Sequence, residues 1–124
     1  MAGGTDRVET LLRKMNVREK IAQLCAAWLR IEADGTLSVK SLVGRPGDGQ
    51  AAMELLKDGI GQLTRPHGTH PIDRAACKRQ VLALQRFLVE HTRLGIPAMV
   101  HEECLAGMMA WNATQFPTGI NLGA

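Results

Sequence analysis

His101, Glu102 and Glu103 stand in a row at the end of a short apolar run, so one imidazole and two carboxylates are delivered together. The run from Gly95 to Val100, read GIPAMV, starts with a glycine and a proline and then stays apolar. That pattern suits a strand covered on both faces, as in parallel α/β sheets. Such sheets bind ligands beyond the carboxyl ends of their strands, so these polar groups are expected at a site. A strand sends successive side chains to opposite faces, so if the strand persists through them Glu102 and Glu103 cannot both enter that site. Glu103 is the candidate binding carboxylate, and Glu102 is read as structural, paired with a basic group. His101 and Arg65 are candidate pocket-lining residues. The plainer readings are a satisfied buried imidazole for His101 and, for Arg65, a brace for the carboxylate pair. His67, His70, His101 and Cys104 carry zinc-ligand chemistry, but their spacing matches no closed zinc site, and no metal is expected. Trp111 can stack on a sugar face, yet an isolated Trp in an apolar segment is read first as core.

The elements that must position these groups follow from capping and periodicity. Thr5 or Asp6 caps a short helix with Val8, Leu11, Leu12 and Met15 on one face. Asn16, with Glu19 three residues on, opens a second helix as a capping box, with Ile21, Ala22, Leu24 and Cys25 as its inward stripe. Ala26 to Glu32 continues this helix or turns to strand, and the sequence does not decide between the two. Residues 44–50, GRPGDGQ, read as loop. Gln50 to Asp58 reads as a helix stopped by Gly59, and 59–64 as a brief strand ending in polar residues. Asp73 caps a long helix with Cys77, Val81, Leu84 and Leu88 inward, and Gly95 is its left-handed stop. Residues 59–101 therefore form one βαβ unit with parallel strands, behind leading helices over 1–25.

Composition narrows the class. The 124 residues are 45% hydrophobic and 22% charged, within the globular range. A net charge of +3 comes from singly scattered basic residues, with no stripe or aromatic interleaving suited to nucleic acid. Cys25, Cys77 and Cys104 are odd in number and far apart, which argues against a disulfide framework and for a reducing compartment. No secretory leader pattern and no long apolar run is present, so a cytoplasmic chain without a membrane partner is expected. From Cys104 to Ala124 there is no Lys, Arg, Asp or Glu. An uncharged apolar end is expected to continue into more protein, because one βαβ unit leaves both sheet edges open.

Several ordered stretches then resemble one family. Residues 7–24, RVETLLRKMNVREKIAQL, resemble the amino-terminal segment of glycoside hydrolase family 3 proteins. Residues 58–64, DGIGQLT, residues 93–107, RLGIPAMVHEECLAG, and residues 113–117, ATQFP, resemble further stretches of that family in the same order. The similarity covers nearly the whole chain apart from residues 34–50.

The resemblance implies an α/β fold: a truncated TIM-type (β/α)8 barrel, in which residues 1–124 are the incomplete amino-terminal portion. It implies a β-glycosidase of the β-glucosidase or β-xylosidase type that removes a terminal sugar with retention, acting on a β-linked oligosaccharide or glycoside without a cofactor. Retaining chemistry needs two carboxyl groups about 5 Å apart. In this family they are an Asp nucleophile and a separate acid/base, both expected beyond Ala124, so the isolated chain is expected to be inactive and to need the remaining part of its barrel. One role carries over by position: the carboxylate four residues before the motif glycine, here Glu103 before Gly107, accepts hydrogen bonds from hydroxyls of the terminal sugar. An ionised carboxylate is acceptor-only and can grip two adjacent hydroxyls. Ala106 stands where many relatives have His. The reading from another class is a noncatalytic carbohydrate-binding or interaction module, and a third is a small metal-binding protein.

Overall fold

Two helices open the chain in a computed structural model that describes residues 3–31, 37–42, 45–47 and 49–124. They are α1 (Gly3–Lys14) and α2 (Val17–Gln23). Asn16 starts α2 with a complete capping box: its side chain accepts from the Glu19 N–H at 3.0 Å, and the Glu19 carboxylate accepts from the Asn16 N–H at 2.8 Å. The same carboxylate is buried and takes two donors from Arg93, Nε at 2.8 Å and a second through Nη2. Arg93 Nη2 also donates to the Lys14 carbonyl at 2.7 Å, so one guanidinium ties the end of α1 to the start of α2. Of the expected inward stripe of α2 only Ala22 is half-buried; Ile21, Leu24 and Cys25 are exposed among the described residues. Leu24 is 86% exposed and Ile21 more than half exposed, because the helix is turned to bring Glu19, not its apolar residues, against Arg93.

The hydrogen bond from Arg93, then the Asn16 N–H, holds the Glu19 carboxyl below its ordinary value. A carboxyl depressed in the folded state binds fewer protons there than in the unfolded chain. Its stabilising contribution is therefore complete above the ordinary value of 4.5 and is lost as pH falls through the folded-state value. The thermal unfolding midpoint of Glu19→Gln is expected to lie below that of the unaltered chain at pH 7 and to converge with it under acid conditions. A gap that stays constant from neutral to strongly acid pH would contradict this.

Cys25 leads directly into β1 (Ala26–Ile31), which settles the open alternative in favour of a strand. β1 pairs in parallel with β4 (Gln62–Thr64), with Ala26 opposite Gln62 and Ala27 opposite Leu63. On its other side β1 pairs antiparallel with β2 (Leu37–Leu42), which pairs in turn with β3 (Arg45–Gly47). Arg45–Gly47 therefore departs from the loop expected over 44–50. β3 is an edge strand, where a proline such as Pro46 loses no ladder bond. Gly44 and Asp48 lie outside the described residues.

Helix α3 (Gly49–Leu56) precedes β4, and α4 (Arg74–His91) follows it. Both Asp73 carboxylate oxygens cap α4, accepting from the Ala75 and Ala76 N–H groups at 3.0 Å. Beyond α4 the chain reverses at Gly95, whose φ of +59° suits a glycine, and enters β5 (Met99–His101). β5 pairs in parallel with β4, placing Thr64 opposite His101. The strand order is β3-β2-β1-β4-β5, so β1, β4 and β5 make a small parallel sheet extended by an antiparallel hairpin. The described residues thus form a partial α/β fold.

The core lies where the sheet meets α3 and α4. Leu56, Ile60, Leu63 and Leu88 are essentially inaccessible, joined by Ala27, Leu29, Leu84 and Ala98. Gln85 clamps α4 to the start of β5 with two hydrogen bonds to the Ala98 backbone, at 2.7 and 3.0 Å. β5 differs from the fully covered strand expected: Met99 and Val100 are exposed on its two faces, and β5 is also the edge of the sheet among the described residues. A short helix α5 (Gly119–Leu122) follows, with Ile120 and Leu122 exposed. Among the described residues, no helix is long and apolar enough to cross a membrane.

Candidate functional site

The parallel strands β4 and β5 end side by side, and their next residues are Arg65 and Glu102. The Arg65 N–H still donates to the His101 carbonyl at 2.9 Å. Arg65 then turns sharply, at a φ of +50° that non-glycine residues rarely adopt. The turn is closed by the Thr69 hydroxyl, which donates to the Arg65 carbonyl and accepts from the Trp28 indole N–H at 2.7 Å. The Arg65 guanidinium lies 5.5 Å from the centre of the Trp28 ring, a cation–π distance. Trp28 therefore faces the charged end of this arginine directly and reaches its backbone through the Thr69 hydroxyl.

The guanidinium spends its donors on the loops around it. Nη2 donates to the Gly68 carbonyl at 3.1 Å and reaches the Met109 carbonyl at 3.4 Å, while Nη1 pairs with Glu103 Oε2 at 3.2 Å. Nε–H is buried with no acceptor among the described residues. The Arg65 side chain is 18% exposed and that of Glu103 is 55% exposed. Glu103 thus offers a braced carboxylate to solvent at the strand end.

Glu102 meets no basic group among the described residues. Its carboxylate accepts from the His67 N–H at 2.6 Å and from the Gly68 N–H at 3.1 Å, so it fastens the loop after β4 by its backbone. Gly68 must be glycine for this: a Cβ there would lie 2.6 Å from the Met109 carbonyl oxygen and 2.8 Å from Glu102 Oε2. The loop after β5 returns at Gly107, with a φ of +89° and room for no side chain beside the Thr114 carbonyl. That turn, closed by Phe116 N–H to Ala106 carbonyl at 2.8 Å, carries Met109 back to Arg65.

His101 hydrogen-bonds through Nε2 to the Thr64 hydroxyl at 3.0 Å and is half-buried. Between the loops after β4 and β5 lies an open cavity of about 480 Å³ lined by His67, Arg74, Met108, Trp111 and Asn112 among others. Trp111 is 62% exposed there, which corrects its reading as core. Glu103, His101 and Arg65 are not among the cavity's walls, so the braced carboxylate and the cavity are separate features, joined through residues 67–68 and 109. Burial, with the Glu102 charge in addition, pushes the Cys77 thiol up and leaves it a packing residue. Among the described residues, no group of three or more His, Cys, Asp or Glu side chains is gathered as a metal ion would require.

Sequence reasoning missed Trp28 and Thr69. Trp28 lay in the stretch left open between helix and strand, and its partners Arg65 and Thr69 are remote in sequence. An amphipathic aromatic at a strand start was the available signal.

Parallel strands with a braced carboxylate on the loop beyond them define the class: a partial α/β fold with polar side chains gathered at the strand carboxyl ends. The sequence profile of the glycosyl hydrolase family 3 N-terminal domain matches residues 16–124. A protein of Formosa agariphila named "Putative beta-xylosidase" is 34% identical over 113 residues, a stretch covering 90% of this chain. The chain belongs to glycosyl hydrolase family 3. It spans 14% of the length of that relative.

Proposed function

We propose that this chain is the opening part of the catalytic barrel of a retaining β-glycosidase acting on terminal xylose or glucose, and that Glu103 binds the terminal sugar. In this reading residues 1–25 lead into a TIM-type barrel and residues 59–101 supply one of its βαβ units. The nucleophile and acid/base come from elsewhere in the same protein, and the isolated 124 residues turn over no substrate. Family membership supports the glycosidase reading, and the relative's name makes a β-xyloside the first probe. The observation that carries the site is the Arg65–Glu103 pair at the strand ends, which leaves an exposed carboxylate. Among the described residues no hydrogen bond engages its Oε1. An ionised carboxylate so placed accepts from sugar hydroxyls.

The test compares the complete protein carrying this chain with its Glu103→Ala variant on nitrophenyl β-D-xyloside and β-D-glucoside. A hydrogen bond to a charged group is worth about 1.5–3 kcal/mol, so kcat/KM is expected to fall roughly 10- to 150-fold. The thermal midpoint should barely move, because Glu103 is exposed and surface pairs add little stability. Unchanged kcat/KM would mean that Glu103 does not touch the sugar.

A further inference from the structure

We propose that Arg65 is a positioning residue for Glu103: a guanidinium fixed on three sides that sets the orientation in which the carboxylate meets its ligand. The inference rests on the sugar-binding reading of Glu103 and adds a second residue, with a separate role, to that site.

Three observations point the same way. The first is the geometry of attachment. Arg65 is held by the Gly68 and Met109 carbonyls, by the Trp28 ring and, through its own carbonyl, by the Thr69 hydroxyl that Trp28 also contacts. Its contacts thus come from β1, from its own loop and from the loop after β5. Only Nη1 is directed at Glu103.

The second is the asymmetry of exposure. Arg65 is mostly covered and Glu103 mostly is not, so the fixed partner is the arginine and the presented partner the carboxylate. With its terminal nitrogens engaged and Nε buried, Arg65 keeps little with which to bind a ligand itself. A free glutamate side chain would have to be ordered when the ligand arrives, at a cost in rotamer freedom; pairing it beforehand removes much of that cost.

The third is the backbone. Arg65 sits at a φ of +50°, a conformation that costs free energy in a residue with a Cβ. A pair with a half-exposed partner contributes little stability to offset this. Strained backbone beside a weakly stabilising pair is explained when the pair's geometry, rather than its strength, is what matters.

A double-mutant cycle on the complete protein tests this, with kcat/KM on nitrophenyl β-D-xyloside as the readout for Arg65→Met, Glu103→Ala and the two combined. Arg65→Met is expected to lose at least tenfold when Glu103 is present and nothing further when Glu103 is already Ala, since a residue that acts only through Glu103 has no effect without it. Should Arg65→Met fail to fold, Arg65→Lys serves in the same cycle. Lysine keeps the charge but not the planar fork that spans two carbonyls and a carboxylate, so at least a fivefold loss is expected, again confined to the Glu103 background. Losses that multiply in the double variant, or full activity of the Arg65 variants, would overturn the inference while the role of Glu103 stands. Full activity of Glu103→Ala would instead overturn the sugar-binding reading, and this inference with it.

Discussion

Gly61→Ala is expected to destabilise the fold by about 3 kcal/mol or more, at the upper end of what overpacking costs. Gly61 sits just before β4, where its N–H donates to the Ala22 carbonyl at 2.9 Å and the next N–H, of Gln62, donates to the Cys25 carbonyl at 3.2 Å. This is the seam where the end of α2 is stitched to the sheet. A Cβ at position 61 would lie 2.0 Å from the Gln23 carbonyl oxygen and 2.7 Å from its carbon. Both atoms are backbone, so no side chain can swing away. Relief requires the end of α2 to lift off, and both seam hydrogen bonds go with it. Native proteins are stable by only about 5–15 kcal/mol, so the loss is a large share of the total. Urea unfolding followed by circular dichroism checks it: the midpoint should fall well below that of the unaltered chain, and an unchanged midpoint would show that the seam is looser than the close approach implies.

The second large effect is expected at Glu102, beside the residue assigned to the sugar but opposite in consequence. Glu102→Ala strips the acceptor from the His67 and Gly68 N–H groups. Hydrogen bonds to a charged group contribute about 1.5–3 kcal/mol, and among the described residues both adjacent amides donate to this one carboxylate. The unfolding midpoint should drop, and amide exchange at positions 67 and 68 should accelerate. Glu102→Gln retains one amide oxygen and should fall between the two. Glu103→Ala should show the reverse pattern, with stability kept and turnover lost. If Glu102→Ala leaves both the midpoint and the exchange at 67 and 68 unaltered, the carboxylate is not what fastens the loop.

Local signals were readable where the sequence itself supplied both partners. The Asn16–Glu19 box and the Asp73 cap each involve residues within four positions, and the chain shows them plainly; Gly95 has the left-handed φ read for it, but the helix it was to stop ends earlier, at His91 with Thr92 as its cap. What the sequence hid depends on partners far away. Ala26 to Ile31 is a mostly apolar stretch, broken by Arg30, whose length suits a strand or a helix, and only pairing with β4 and β2 decides it. Arg45–Gly47 has loop composition and becomes a strand because a sheet edge tolerates such residues. The inward face of α2 was read from its apolar spacing, whereas Arg93, 74 residues away, draws Glu19 inward instead. At the site the pattern is the same. The two carboxylates were visible, but their division was read from a strand that in fact ends at His101, before either of them, and the partners of Glu102 proved to be backbone, which carries no residue-type signal. Trp28 escaped notice because its indole partner is 41 residues downstream.

The long reach between Glu19 and Arg93 has a consequence during translation. At about 5–20 residues per second, a ribosome adds the 74 residues separating them in roughly 4–15 s. Over that interval the nascent α2 has its own cap but not the guanidinium that compensates the charge it will bury. The opening helices therefore cannot complete their docking until the far end of α4 has left the exit tunnel, and assembly at the amino terminus is set by a residue made much later.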